Sequence, residues 1–164
     1  MESNKMFSNV SPNTGKFIYS LAESVNAKNI LEIGTSNGYS AYWLAHTKAK
    51  ITTIELSTDR SGWAKENLKD YPNVNLIQGD ALDILPELEG EFDFVFIDAM
   101  KEQYLDYLKL ILDKLKDGCT VVADNVGSHQ EKVQNYLDYV KENFKSNTIN
   151  MDKGLEVTII FKRS

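Results

Sequence analysis

The chain has 164 residues, 42% hydrophobic and 26% charged, an ordinary globular composition that excludes wholesale disorder. That length predicts a single domain over residues 1–164, with one core that forms without staples. Eighteen basic against 24 acidic residues give a net charge of −6, which argues against a general phosphate-backbone binder, so no nucleic acid partner is expected.

The polar opening MESNKMFSNV lacks the apolar stretch of a signal peptide, which predicts a cytoplasmic chain. No apolar run approaches the ~20 residues that cross a bilayer, so no membrane partner is expected. The first helix is predicted from Pro12 to about Val25, with Ser11 as N-cap and Pro12 at its first position. Strand one is Asn29–Ile33, followed by the turn Gly34–Gly38 and a helix carrying Ala41, Leu44 and Ala45. Strand two is Lys50–Leu56, and the apolar face of the next helix, capped by Ser57 or Thr58, includes Trp63, Ala64 and Leu68. Asn73–Gln78 is strand three and Asp80–Leu88 a short helix.

Strand four, Phe92–Asp98, is nearly all apolar, as a central strand should be. A long helix then places Leu105, Leu108, Ile111, Leu112 and Leu115 at helical spacing, with Gly118 ending it. Thr120–Ala123 is strand five, and Val133, Leu137, Val140 and Phe144 mark the last helix. The tail reads as an antiparallel pair, Thr148–Asn150 with Glu156–Lys162, in which Val157, Ile159 and Phe161 alternate. Short apolar runs alternating with helical segments describe a parallel sheet covered on both faces. The single Cys119 forms no internal disulfide and reads as a small buried hydrophobe, and two histidines leave no Cys/His zinc cluster.

Three places carry chemistry. The stretch Leu31-Glu32-Ile33-Gly34-Thr35-Ser36-Asn37-Gly38-Tyr39-Ser40 takes a strand into a glycine turn and then a helix, which presents backbone N–H groups to an anion. Ser36 and Tyr39 stand where a dinucleotide fingerprint has its second and third glycines. A pyrophosphate therefore fits poorly, which disfavours an NAD-dependent oxidoreductase, and a carboxylate fits better. Glu55 follows Gly34 by 21 residues, at the end of the next strand, placed to accept hydrogen bonds from a ribose diol. The plain alternative is two turn glycines and a solvated strand-end acid.

Strand four ends in Asp98, and strand five in Asp124-Asn125. In an open parallel sheet these positions lie on the ligand-binding rim. An oxygen-only set without His or Cys favours a hard cation, Mg²⁺ first and Mn²⁺ or Ca²⁺ next. Asp98 taken alone is a turn former; beside Asp124-Asn125 it reads as a metal ligand. Lys101, three residues on, points into the same crevice or is a solvated helix-start lysine.

The stretches Glu32-Ile33-Gly34-Thr35-Ser36-Asn37-Gly38-Tyr39-Ser40-Ala41, Thr53-Ile54-Glu55, Phe96-Ile97-Asp98 with Lys101 and Tyr104, Ala123-Asp124-Asn125-Val126 and Gly154-Leu155-Glu156 together resemble the S-adenosylmethionine (SAM)-dependent O-methyltransferases of the catechol and caffeoyl-CoA type. The resemblance runs from about Val10 to the C-terminus. It implies an α/β, single-domain, Rossmann-like class I fold: a mostly parallel seven-stranded sheet with an antiparallel C-terminal strand and helices on both faces. It implies SAM as cofactor, held by Val10 and Ser40 at the methionine carboxylate, by Gly34, Ser36 and Gly38 at the turn, and by Glu55 at the ribose. Leu56 and Met100 would flank the adenine, with Asp80 and Ala81 at its edge and Asp98 beside the cofactor. Asp98, Asp124 and Asn125 match the metal ligands, and Lys101 matches the general base. Glu156 matches an acid that holds the substrate hydroxyl that is not methylated.

Two departures stand out. Met100 replaces an Asp common in the family, which alters the adenine or substrate wall. Only about residues 1–10 precede the first helix, where relatives carry extra helices, so a more open pocket or one completed by a second subunit, a homodimer, is expected. The implied reaction is methyl transfer to a hydroxyl of a small, aromatic vicinal diol. The alternatives are a methyltransferase of another acceptor, RNA or protein, and a SAM- or nucleoside-binding protein without chemistry.

Overall fold

The computed structural model describes residues 10–162. The N-terminal extension expected over residues 1–10 therefore lies, except for Val10, outside the described residues. The elements follow in the order α1 (Pro12–Ser24), β1 (Asn29–Ile33), α2 (Tyr39–Ala45), β2 (Lys50–Glu55), α3 (Thr58–Asn67), β3 (Val74–Gln78), α4 (Ala81–Ile84), β4 (Phe92–Ile97), α5 (Tyr104–Ile111), β5 (Leu115–Asp124), α6 (Gln130–Asn143), β6 (Lys145–Ile149) and β7 (Leu155–Ile159). Helix α1 begins as its sequence dictates, with Pro12 in the first turn and the Ser11 hydroxyl accepting the Thr14 N–H at 3.1 Å.

The seven strands form one sheet in the order β3-β2-β1-β4-β5-β7-β6, and β7 alone runs against the rest. This is the mostly parallel sheet with an antiparallel C-terminal strand that the sequence implies. Parallel pairing demands crossover helices, and these cover both faces. Along β4 the period of two sorts the side chains: Phe94 and Phe96 join a core under α1 and α2, while Val95 and Ile97 join the core under α5 and α6. The order of strands reverses between β1 and β4, so a crevice opens above their carboxyl ends.

Four expectations are corrected. Strand five starts at Leu115 rather than Thr120, and Gly118 lies within it instead of ending the preceding helix. Helix α5 stops at Ile111 and a 3₁₀ turn, Leu112–Lys114, leads into the strand. Phe92 pairs with Leu115 but Phe94 with Thr120, so Lys116–Cys119 form a bulge that needs the positive φ of +83° at Gly118. Phe144 is extended at the C-cap of α6, and β6 starts directly after it. In β7 the fully buried set includes Glu156, Thr158 and the following Ile160, whereas Val157 and Ile159 are half-buried and Phe161 is exposed.

Candidate active site

The turn after β1 is held by backbone. The Gly34 N–H donates to Ile54 O at 2.9 Å, and the Asp98 N–H donates to Ile33 O at 2.9 Å, tying the ends of three strands together. Gly34 has φ +99°, and a Cβ built on it would lie 1.9 Å from the Asp98 carbonyl oxygen. No other residue allows the two chains to pass this closely. Above the turn opens a cavity of about 340 Å³ whose wall includes Gly34, Ser36, Glu55 and Asp98.

Glu55, 6% exposed at the end of β2, accepts the N–H of Ser36 at 2.6 Å and of Ser57 at 2.9 Å. Its carboxylate is thereby fixed at the cavity wall with lone pairs left over. The Ser36 hydroxyl is buried without a partner. Farther along, Asp80 caps α4 through the Leu82 N–H at 2.9 Å, with Ala81 beside it, and Leu56 and Met100 stand exposed at the rim. All of these line the same cavity.

A second group of polar side chains lies on the other side of Asp98. The Asn125 amide donates to Asp98 Oδ1 at 3.2 Å, and the Asn125 N–H donates to Asp124 Oδ1 at 2.8 Å. Asn125 has φ +62°, a conformation that asparagine tolerates better than most residues. Burial, together with the charge of Asp98, pushes the Asp124 carboxyl up to about 7. Lys101 Nζ donates to Asp98 Oδ1 at 3.0 Å, Ala99 O at 3.1 Å and the Tyr104 hydroxyl at 2.7 Å. Tyr104, fully buried, donates its hydroxyl to Asp124 O at 2.9 Å. Burial raises its phenol well above the usual range.

This donor set suits a hard cation. Two carboxylates and the Asn125 carboxamide gather here, the carboxamide with its NH₂ toward Asp98, so it would turn its oxygen inward to join a cation; one carboxyl is buried beside another negative charge, and a cation would relieve both. Among the described residues no three His, Cys, Asp or Glu side chains gather into a cluster, so Asn125 is needed to complete the set. The cavity likewise suits an adenosyl sulfonium: Gly34 lets the end of β1 pass against the Asp98 backbone and so shapes the cavity floor, and Glu55 offers carboxylate oxygens to a diol.

Several expected residues do not reach the cavity. Ser40 gives its hydroxyl to buried Glu32 at 2.5 Å, so that oxygen is not free to hold a ligand carboxylate. Gly38 starts α2 with φ +95° and leaves space for Leu68. Val10 packs, 6% exposed, in the core under α1. Glu156 does not line the cavity either. It is fully buried on the sheet face that packs against α6, its carboxylate accepting the Thr148 hydroxyl at 2.8 Å with Lys141 Nζ at 3.8 Å.

The sequence reading also missed residues. Glu32 is fully buried beneath the turn, bonded to Ser40 and to the Thr53 hydroxyl at 2.7 Å, and Thr53 is linked to Thr35 at 2.6 Å. Burial pushes its carboxyl up to about 8 against the pull of those hydroxyls. A charged residue inside an otherwise apolar strand was the available signal. Gln103 and Tyr107 also line the cavity, and their spacing of four was the signal there.

Residues 2–161 match the profile of the O-methyltransferase family. A catechol O-methyltransferase of Niastella koreensis is 41% identical over 127 residues, covering 71% of this chain and 58% of that protein. One of Mycobacterium tuberculosis is 38% identical over 124 residues, 71% of this chain and 56% of its own length. The chain thus spans less than three-fifths of these relatives. The crystal structure of the O-methyltransferase TomG from Streptomyces achromogenes in complex with SAM superposes with a TM-score of 0.87 at 28% identity, covering 94% of this chain and 82% of that one.

Proposed function

The chain belongs to the O-methyltransferase family, and from that premise we propose that it transfers a methyl group from SAM to a hydroxyl of a small aromatic vicinal diol with the help of a divalent metal, Mg²⁺ first. The observation that carries this reading is the position of Asp98. It walls the cavity that suits the cofactor and, on its other side, bonds Asn125 and Lys101. Two relatives named catechol O-methyltransferase support the acceptor class, and the neighbour in complex with SAM supports the cofactor.

When bound, SAM supplies an electrophilic methyl group on a sulfonium, and the metal supplies a charge that acidifies and orients a chelated diol. The chain's own residues do the rest. Glu55 accepts hydrogen bonds from the ribose hydroxyls, fixing the cofactor along its length. Gly34 brings the turn's backbone against it. Asp98, Asp124 and Asn125 would hold the cation. Once it has lost one of its three protons and given up the hydrogen bond that proton makes, Lys101 as the neutral amine takes the proton from the acceptor oxygen, a contribution of roughly 10²–10⁴ in rate for a positioned base. Its three hydrogen bonds hold Nζ within reach of that side of the crevice, so the entropy of positioning is met before the acceptor arrives.

The test is methylation of catechol by the purified protein with SAM, after EDTA treatment and after Mg²⁺ is restored. The reading expects product only with Mg²⁺. Full activity in EDTA overturns the metal role, and no product from catechol or a panel of vicinal diols overturns the acceptor class.

A further inference from the structure

Gln103 lies in the 3₁₀ turn between β4 and α5, and Tyr107 lies one helical turn farther along; both line the cavity. The Tyr107 hydroxyl donates to Gln103 Oε1 at 2.8 Å. Tyr107 is itself 3% exposed, so its ring is a fixed post rather than a mobile side chain. Asp80 lies close enough for its charge to be felt at the Tyr107 phenol. A carboxamide whose oxygen is held by the Tyr107 hydroxyl keeps one lone pair there, and its NH₂ group, a donor, is fixed in orientation by that bond.

The edge of an adenine ring presents its exocyclic amine between two ring acceptors, N1 and N7. Asp80, with one oxygen used by the Leu82 N–H, has a second oxygen for the amine. Asp80, Ala81 and the Gln103–Tyr107 pair line one cavity. We infer that Gln103 is a specificity-determining residue for the adenosyl ligand, donating from Nε2 to N7 of the purine, and that Tyr107 acts through it as a positioning residue. This rests on the adenosyl reading of the cavity, and it adds a donor from the turn before α5 to the acceptor that Asp80 supplies.

The test measures binding of S-adenosylhomocysteine and of its 7-deaza analogue, in which N7 is replaced by a C–H, by calorimetry. The wild-type protein should prefer the adenosyl compound by about tenfold, the loss of one hydrogen bond to a committed donor. Gln103→Leu should bring the ratio near one by weakening only the adenosyl compound. Tyr107→Phe keeps the ring and should lower the ratio about threefold, yet change nothing when added to Gln103→Leu. Because each ratio is taken within one protein, partial unfolding cancels. A Gln103→Leu ratio equal to wild type overturns the inference, as does a Tyr107→Phe effect undiminished in the double variant. Wild-type protein binding neither compound would instead overturn the adenosyl reading beneath it.

Discussion

At the scale of single residues the buried acid Glu32 has the largest consequence for pH. Its carboxyl is pushed up to about 8 by burial, so in the folded protein it is protonated at neutral pH, whereas in the unfolded chain it ionises near 4.5. The folded state therefore holds a proton that the unfolded state has lost, and stability falls as pH rises between those two values, by up to about 1 kcal/mol per unit. Glu32→Gln keeps the shape and removes the proton, and the Ser40 and Thr53 hydroxyls can turn to accept from the amide. Urea unfolding at pH 5.5 and pH 8.5 should show wild type losing stability between them and the variant losing much less. Equal slopes would mean that another group carries the pH dependence.

At the scale of elements, the turn between β6 and β7 is fastened to α1. Asp152 in that turn accepts the Ser11 hydroxyl and, at 2.5 Å, the Thr14 hydroxyl. These two bonds hold its carboxyl below the usual range. Their contribution is present above the unfolded value near 4 and is lost as pH falls through the folded one. Asp152 is exposed, so screening limits the effect, and Asp152→Ala should cost about 0.5–1 kcal/mol at pH 7. The gap between wild type and variant should narrow as pH falls below about 4; a gap that does not change with pH would assign the loss to packing.

The same part of the molecule shows where sequence reading stops. Glycine turns, strand ends and the carboxylates at Asp98 and Asp124 were legible because backbone geometry at a parallel strand's end is local and its residue types are few. Gly118 misled because a helix stop and a bulge both call for positive φ, and only the pairing of Phe92 and Phe94 on the neighbouring strand tells them apart. The surroundings of Glu156 were not legible, because alternation says which side chains share a face, not which face a helix covers. Its partners Thr148 and Lys141 come from β6 and α6, and no spacing within β7 reveals them.

For the whole molecule, the strand order divides the crevice. β4 is the shared wall, with β1 and β2 on the cofactor side and β5 on the other, so Asp98 borders both halves while Asp124 borders one. Substitutions should respect that partition. Asp124→Asn should leave the affinity for S-adenosylhomocysteine within about threefold, since Asp124 does not line the cavity, yet lower methyl transfer by at least about a hundredfold. Asp98→Asn should impair both. The Asp124 carboxyl, pushed up to about 7 by burial, adds a pH signature. Below that value a proton competes with the cation for the same oxygens, so apparent Mg²⁺ affinity should fall by up to tenfold per unit as pH drops from 7 to 5. Above it the affinity should level off. Titration of wild type with Mg²⁺ at pH 5.5, 6.5 and 8 measures this directly, and the Asp124→Asn variant should lose both the affinity and its slope. Equal weakening of S-adenosylhomocysteine binding by Asp124→Asn and Asp98→Asn would show that the two halves are one site and that β4 does not divide them.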